Sequence, residues 1–366
     1  MIDIVITIFI ISLALVLKKS KIIATLLFLF MWILWGWNTW NGDYKMYENY
    51  YYDSIWIFKD SLDYEIGYRY LNFVFSENKF EYKTFMIIFS FFVLYLIKKI
   101  SFEYSRYPAM FAALYFIIFI MEYVYNRTYL SHIIILYAVY SIIKNIRYKA
   151  IIYIVLVILA SIIHSTAILA LMFTPLVCFD NRIISVKKIA IICLGLLLVS
   201  IFLFDIILTP LIGGSYLEKF NYYKTDGGFT NIFFGHIILV GLVYYYFSYI
   251  IKKIELINSD KRIFILIINF NLISLFYLPI YFHIPYFSRF VRLIFTIDLI
   301  FLISTLQYLK FLNLVIKTRL ISGFVLIYLI VLIMFIKSTL YLTLIPLYKN
   351  NLIFGEEYYF PESRDE

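Results

Sequence analysis

A chain of 366 residues could hold two soluble domains, yet 64% of its residues are hydrophobic and its mean hydropathy is +0.89, where a globular domain is about half apolar. Its formal charge of +9 is split into short clusters between apolar runs, which argues against a nucleic-acid-binding face and for membrane topology. Walker A, G-x-G-x-x-G, HExxH, EF-hand and D-x-D patterns are all missing, which disfavours an ATP-driven pump or a cytoplasmic sugar-nucleotide enzyme.

Apolar runs occur at 2–17, 21–37, 84–97, 107–121, 128–143, 150–163, 165–179, 189–204, 231–250, 263–282, 290–308 and 320–340. In lipid such runs must be helical, because each backbone polar group needs an internal partner, and their unbroken apolarity argues against an alternating β-barrel pattern. The expected fold is therefore an all-α polytopic transmembrane bundle of about twelve helices, a single integral membrane domain over 1–366, with an outer loop at 38–83. The first run opens with Asp3 and lacks a basic n-region and a small-residue cleavage site, so it is expected to be a retained helix. Several runs are short and would borrow flanking aromatics or snorkelling lysines.

Alternate connections differ in charge. Those at 18–21, 98–106, 144–149, 180–188, 251–262 and 309–319 carry 19 of the 32 Lys and Arg residues. The opposite loop 38–83 has eight acidic residues against five basic. By the positive-inside rule the basic loops are cytoplasmic and both termini face outward. Residues 150–179 allow one long helix or two short ones broken at His164 and Ser165. Two are preferred, because one would move the later basic loops to the outer side.

Polar residues near the predicted outer ends stand out in chain order. Asp43 and Glu65 lie in the first large loop, Glu122 and Arg127 flank one helix start, and Arg289 and Arg292 open another. An outward arginine either snorkels to headgroups or faces a polar cavity, and its planar fork suits phosphate. All four histidines fall on the outer side, and His132 and His236 are read as interfacial side chains bonded to water or backbone. Asp298, in mid-span, must be paired or neutral, and an arginine from another helix would suffice as its partner. Cys178 and Cys193 sit in or beside apolar runs without metal or disulfide spacing.

Five segments then resemble the EpsG/Wzy-type polysaccharide polymerases, bacterial membrane glycosyltransferases. They are WNGDYKMYENYY at 40–51, YEIGYRYLN at 64–72, NRTYLSHIIILYAV at 126–139, IIHSTAILAL at 162–171 and YFSRFVRLIF at 286–295. Where the family often has Gln after its first Arg, this chain has Thr128, which removes any role for a side-chain amide there. The resemblance implies polymerisation of oligosaccharide repeat units on undecaprenyl pyrophosphate, at the outer face of the bacterial cytoplasmic membrane. Arg127, Arg289 and Arg292 would hold the pyrophosphate. His164 would be the base or would orient the acceptor hydroxyl, with Glu65 the next candidate base, while Glu65 and Asp43 would bind sugar hydroxyls or orient an arginine. Asp43, Tyr68 and Arg69 would complete the substrate-binding set. The scheme calls for no metal or cofactor, and its implied partners are the lipid-linked oligosaccharide, the bilayer, a chain-length regulator and a flippase, with no nucleic acid. Competing readings are a flippase or exporter of the same glycan, a membrane ligase and a membrane acyltransferase. The lack of a visible two-fold repeat counts against transport.

Overall fold

The computed structural model describes residues 2–60, 65–179, 181–208, 230–284, 287, 289–336 and 344–356. Among the described residues, the body of every apolar run read from the sequence falls on helical backbone. The helices are α1 (Ile2–Val16), α2 (Lys21–Gly36), α3 (Tyr44–Asp60), α4 (Ile66–Glu77), α5 (Tyr82–Tyr104), α6 (Pro108–Phe119), α7 (Asn126–Ile143), α8 (Lys149–Ile163), α9 (Val186–Leu208), α10 (Asn231–Lys253), α11 (Asn258–Ser274), α12 (Leu278–His283), α13 (Arg289–Thr305), α14 (Leu314–Ile336) and α15 (Ile345–Lys349). Among the described residues, five helical stretches are long and apolar enough to cross a membrane: Tyr82–Tyr104, Asn231–Lys253, Asn258–His283, Arg289–Leu309 and Leu314–Phe335. Shorter apolar helices include Ile4–Val16, Lys21–Gly36 and Lys149–Ile163.

The backbone follows local signals. Ser20 caps α2 by accepting from the Ile23 N–H at 3.2 Å, Thr230 caps α10 in the same way through Phe233 at 3.2 Å, and Pro108 sits in the first turn of α6. At the centre lies α13, buried almost throughout from Phe290 to Thr305. By contrast α14 leaves apolar side chains such as Ile333 exposed, the expected face of a helix in hydrocarbon.

The segment 150–179 is two legs. α8 ends at Ile163, His164 is extended, and a 3-10 helix runs over Ser165–Val177. Tyr153 donates to the Ala170 carbonyl at 2.6 Å, so the legs lie antiparallel side by side. A 3-10 helix rises about 2.0 Å per residue against 1.5 Å for an α-helix, so thirteen residues cover about 26 Å rather than about 20 Å. The tighter helix stretches a short apolar run towards the thickness of a bilayer core.

The connection 38–83 contains two helices, α3 and α4. Tyr44, Tyr47 and Tyr51 recur at helical spacing on α3, and Tyr47 and Tyr51 are buried. The described tail closes back on this end. Asn351 donates to the Ile33 and Leu34 carbonyls at 3.2 Å, satisfying the last turn of α2, and Asn38 donates to the Pro346 and Asn350 carbonyls.

Two expectations about interior polar groups are corrected. Asp298 on α13, for which an arginine from another helix would have sufficed, is instead partnered by Asn271 of α11, whose amide donates to it at 2.7 Å. His132 and His236 are buried rather than interfacial. His236 bonds the Ser274 hydroxyl at 2.9 Å, and the His132 ring lies against Phe290.

Candidate functional site

Five separate stretches of sequence converge at one end of the bundle. The centre is Glu65, in the residue before α4. Its Oε2 accepts from the Arg127 guanidinium at 2.8 Å, and its Oε1 meets Nδ1 of His164 at 2.9 Å. The Ser165 hydroxyl and backbone N–H also donate to Oε1, at 3.2 and 3.3 Å. The carboxylate thus sits at the N-terminus of the 3-10 helix, where unsatisfied N–H groups favour negative charge. Glu65, not His164, caps the broken helix.

Local sequence explains why these groups meet. Gly67, two residues after Glu65, lies so close to α8 that an added Cβ would come within 2.8 Å of Ile162 Cγ2 and 2.9 Å of the Ile162 carbonyl oxygen. Only glycine lets α4 pack against the last turn of α8, which brings Glu65 beside His164. Arg127 stands in the first turn of α7. Its Nε donates to the Tyr47 hydroxyl at 3.5 Å and its guanidinium lies 5.6 Å from the Tyr47 ring centre, so α3 forms a roof over the pair.

The charges set one another. Burial works to raise the Glu65 carboxyl, but the His164 hydrogen bond and the Arg127 charge outweigh it and hold the group well below the usual carboxylate range. An ionised carboxylate only accepts, so His164 Nδ1 carries the proton and donates. His164 itself lies below the ordinary imidazole value: burial is the main cause, Arg127 and Arg289 add to it, and Glu65 pulls the other way. A neutral imidazole with Nδ1 protonated has a basic Nε2, and Nε2 makes no hydrogen bond among the described residues.

A second arginine pair lies alongside. Arg292 donates to Glu122 at 2.9 Å, with both side chains largely buried. The guanidiniums of Arg289 and Arg292 lie 4.4 and 5.0 Å from the centre of one ring, Tyr125, two residues before Arg127. Among the described residues Arg289 has no carboxylate partner, so its charge is the least committed of the three. Half-buried Asp43 is raised above its usual value chiefly by burial, with Arg289 and Arg127 opposing the shift.

The structure therefore brings together Asp43, Glu65, Arg127, His164, Arg289 and Arg292. Arg127 and Arg292 are each paired with a carboxylate, the usual requirement for burying a guanidinium. Tyr68 turns inward, its ring 5.9 Å from Tyr47 and 6.4 Å from Phe85. Arg69 is buried on α4, its N–H bonded to the Glu65 carbonyl at 3.1 Å. Sequence reasoning missed Tyr47, Tyr125 and Gly67 as parts of the site. Their signal was adjacency to Asp43, Arg127 and Glu65, masked for the tyrosines by 36 Tyr in the chain.

No curated protein and no solved structure matches this chain. A family model described as EpsG family matches residues 21–350, a span containing the whole cluster. The chain belongs to the EpsG family, which places it among membrane proteins of polysaccharide biosynthesis.

Proposed function

We propose that this protein polymerises undecaprenyl-pyrophosphate-linked oligosaccharide repeat units at the outer face of the bacterial cytoplasmic membrane. The observation that carries the reading is the Glu65–His164 pair: an ionised carboxylate fixes the imidazole tautomer and leaves Nε2 as a base. In the reaction the acceptor sugar hydroxyl attacks the donor's anomeric carbon. A new C–O bond forms, the C–O bond to pyrophosphate breaks, and its electron pair leaves with the polyprenyl pyrophosphate. The hydroxyl proton passes to His164 Nε2. Arg289, free of a carboxylate among the described residues, takes up the leaving pyrophosphate, with Arg127 and Arg292 adding positive potential beside it. Asp43 is placed to accept from sugar hydroxyls. Tyr68 and Arg69 serve the site by holding α4 against it.

The orientation follows from the lysine-rich loops at the opposite end, and both termini lie outside. Single cysteines replacing Lys79 and Ser259, in a chain lacking Cys178 and Cys193, test it: an impermeant maleimide should label position 79 in intact cells, and labelling of 259 alone would reverse the topology.

Gene deletion followed by glycan analysis tests the activity. Loss of long polymer with lipid-linked single units retained on the outer leaflet is the expected result. Units trapped on the inner leaflet would mean a flippase, and finished polymer left on its lipid would mean a ligase.

A further inference from the structure

Below the polar cluster lies a cavity of about 530 Å³ between α4, α5, α7 and α8. Leu71, Phe85, Phe92, Leu130, Ile134 and Leu156 are among its lining side chains. All the lining groups are apolar except the Tyr137 hydroxyl, which is occupied by the Leu96 carbonyl at 3.4 Å. Its volume lies within the range of roughly 300–1,000 Å³ typical of small-molecule sites.

Two observations tie the cavity to the site above. Arg127, Leu130 and Ile134 are spaced i, i+3 and i+7 on α7, so they share one face, and the cavity descends about 10 Å along the helix from the arginine. Phe85 in its wall packs on Tyr68, which packs on Tyr47, the residue over the Arg127 guanidinium. The cavity also has a side opening: Ile88 and Phe92 line it and are 44% and 52% exposed on a helix in hydrocarbon. A cationic head site above an apolar cleft fits an amphiphile with an anionic head and a long apolar tail. Close-packed interiors do not keep such a void empty in lipid, because its walls would forfeit dispersion contacts.

We infer that this cleft holds the head-proximal part of the substrate's polyprenyl chain, which enters sideways past Ile88 and Phe92 while its pyrophosphate reaches the arginines. The inference rests on the polymerase reading and names the part of the substrate that reading leaves unplaced. A bilayer phospholipid tail is the competing occupant.

Photo-crosslinking in the full-length protein separates them. A photoreactive phenylalanine analogue replaces Ile134 or, in a second variant, Leu156. Lipid-facing Ile333, 70% exposed on α14, is the control. Each variant is reconstituted in phosphatidylglycerol–phosphatidylethanolamine vesicles with radiolabelled undecaprenyl pyrophosphate. Expected is labelling at 134 and 156 several-fold above that at 333, suppressed by excess unlabelled undecaprenyl pyrophosphate and not by added phosphatidylglycerol. Equal labelling at all three positions, or equal suppression by phosphatidylglycerol, overturns the inference. Selective labelling by a protein that makes no polymer from lipid-linked units would leave the cleft and remove the polymerase reading. Polymer formation without selective labelling would do the reverse.

Discussion

The two ends of the bundle handle positive charge in different ways. At the end holding the 18–21, 98–106, 144–149 and 251–262 connections, cations meet aromatic rings, backbone carbonyls and an exposed carboxylate. Lys18 lies over the Tyr107 ring at 5.3 Å, Lys98 over Phe102 at 5.3 Å, and Arg147 over its neighbour Tyr148 at 4.9 Å. Lys144 pairs with Glu103 on an exposed surface, and Arg262 caps the Ile142 and Ile143 carbonyls at the end of α7. At the other end Arg127 and Arg292 are largely buried and meet carboxylates 62 and 170 residues away in sequence. Charge that only directs insertion needs no buried carboxylate to balance it. Burying a guanidinium and its carboxylate has a desolvation cost that an exposed pair avoids, and the proposed pyrophosphate site gives that cost a use.

Substitutions can break this contrast, beginning with the largest effect. Arg127→Lys keeps the charge but loses the fork that spans Glu65 and Tyr47, and polymer formation should fall by about 10²-fold or more at normal expression, measured in reconstituted vesicles. Normal polymer from Arg127→Ala would remove the residue from the mechanism. Next come the stability effects. Glu122→Gln alone leaves Arg292 buried and uncompensated and should cost about 3–5 kcal/mol, whereas Glu122→Gln with Arg292→Met should recover much of that loss in a denaturation series. Additive losses would mean the pair is not coupled.

Gly67→Ala is expected to cost about 1–3 kcal/mol by overpacking and to weaken activity by moving Glu65 off His164. Gly241→Ala, where an added Cβ meets nothing within 4 Å, is the control and should leave both unchanged. The smallest effect belongs to the other end: Lys144→Gln breaks an exposed pair and should change stability by about 1 kcal/mol or less in the same series. A larger loss there would erase the distinction between the ends.

Much of this was legible before the structure. Lipid leaves the backbone few options, so the apolar runs marked the helices, and charge parity required the break at His164. The site's members were visible because ionisable groups are rare at helix ends in such a chain. Their pairing was not, since nothing local in Arg127 or Arg292 names Glu65 or Glu122 as partner. Helices α3 and α4 were hidden because their buried positions are tyrosines (Tyr47, Tyr51, Tyr68) and polar residues (Arg69, Asn72, Ser76) rather than an aliphatic stripe. That Asp298 meets Asn271 rather than an arginine was not legible, because a neutral amide in mid-span leaves no charge signature in sequence.

The central claim is that Glu65 holds His164 as a neutral base. Because its folded value lies below the ordinary imidazole value of about 6.5, His164 binds fewer protons than a free imidazole, and activity should persist below that pH and fall only as pH drops through the depressed value. The most direct test is the rate of polymer formation against pH, from purified lipid-linked units in vesicles, for the wild-type protein and His164→Asn. The account predicts a stably inserted His164→Asn variant slowed by about 10²–10⁴-fold, with the acid limb abolished. A near-normal rate with an unchanged acid limb would contradict it.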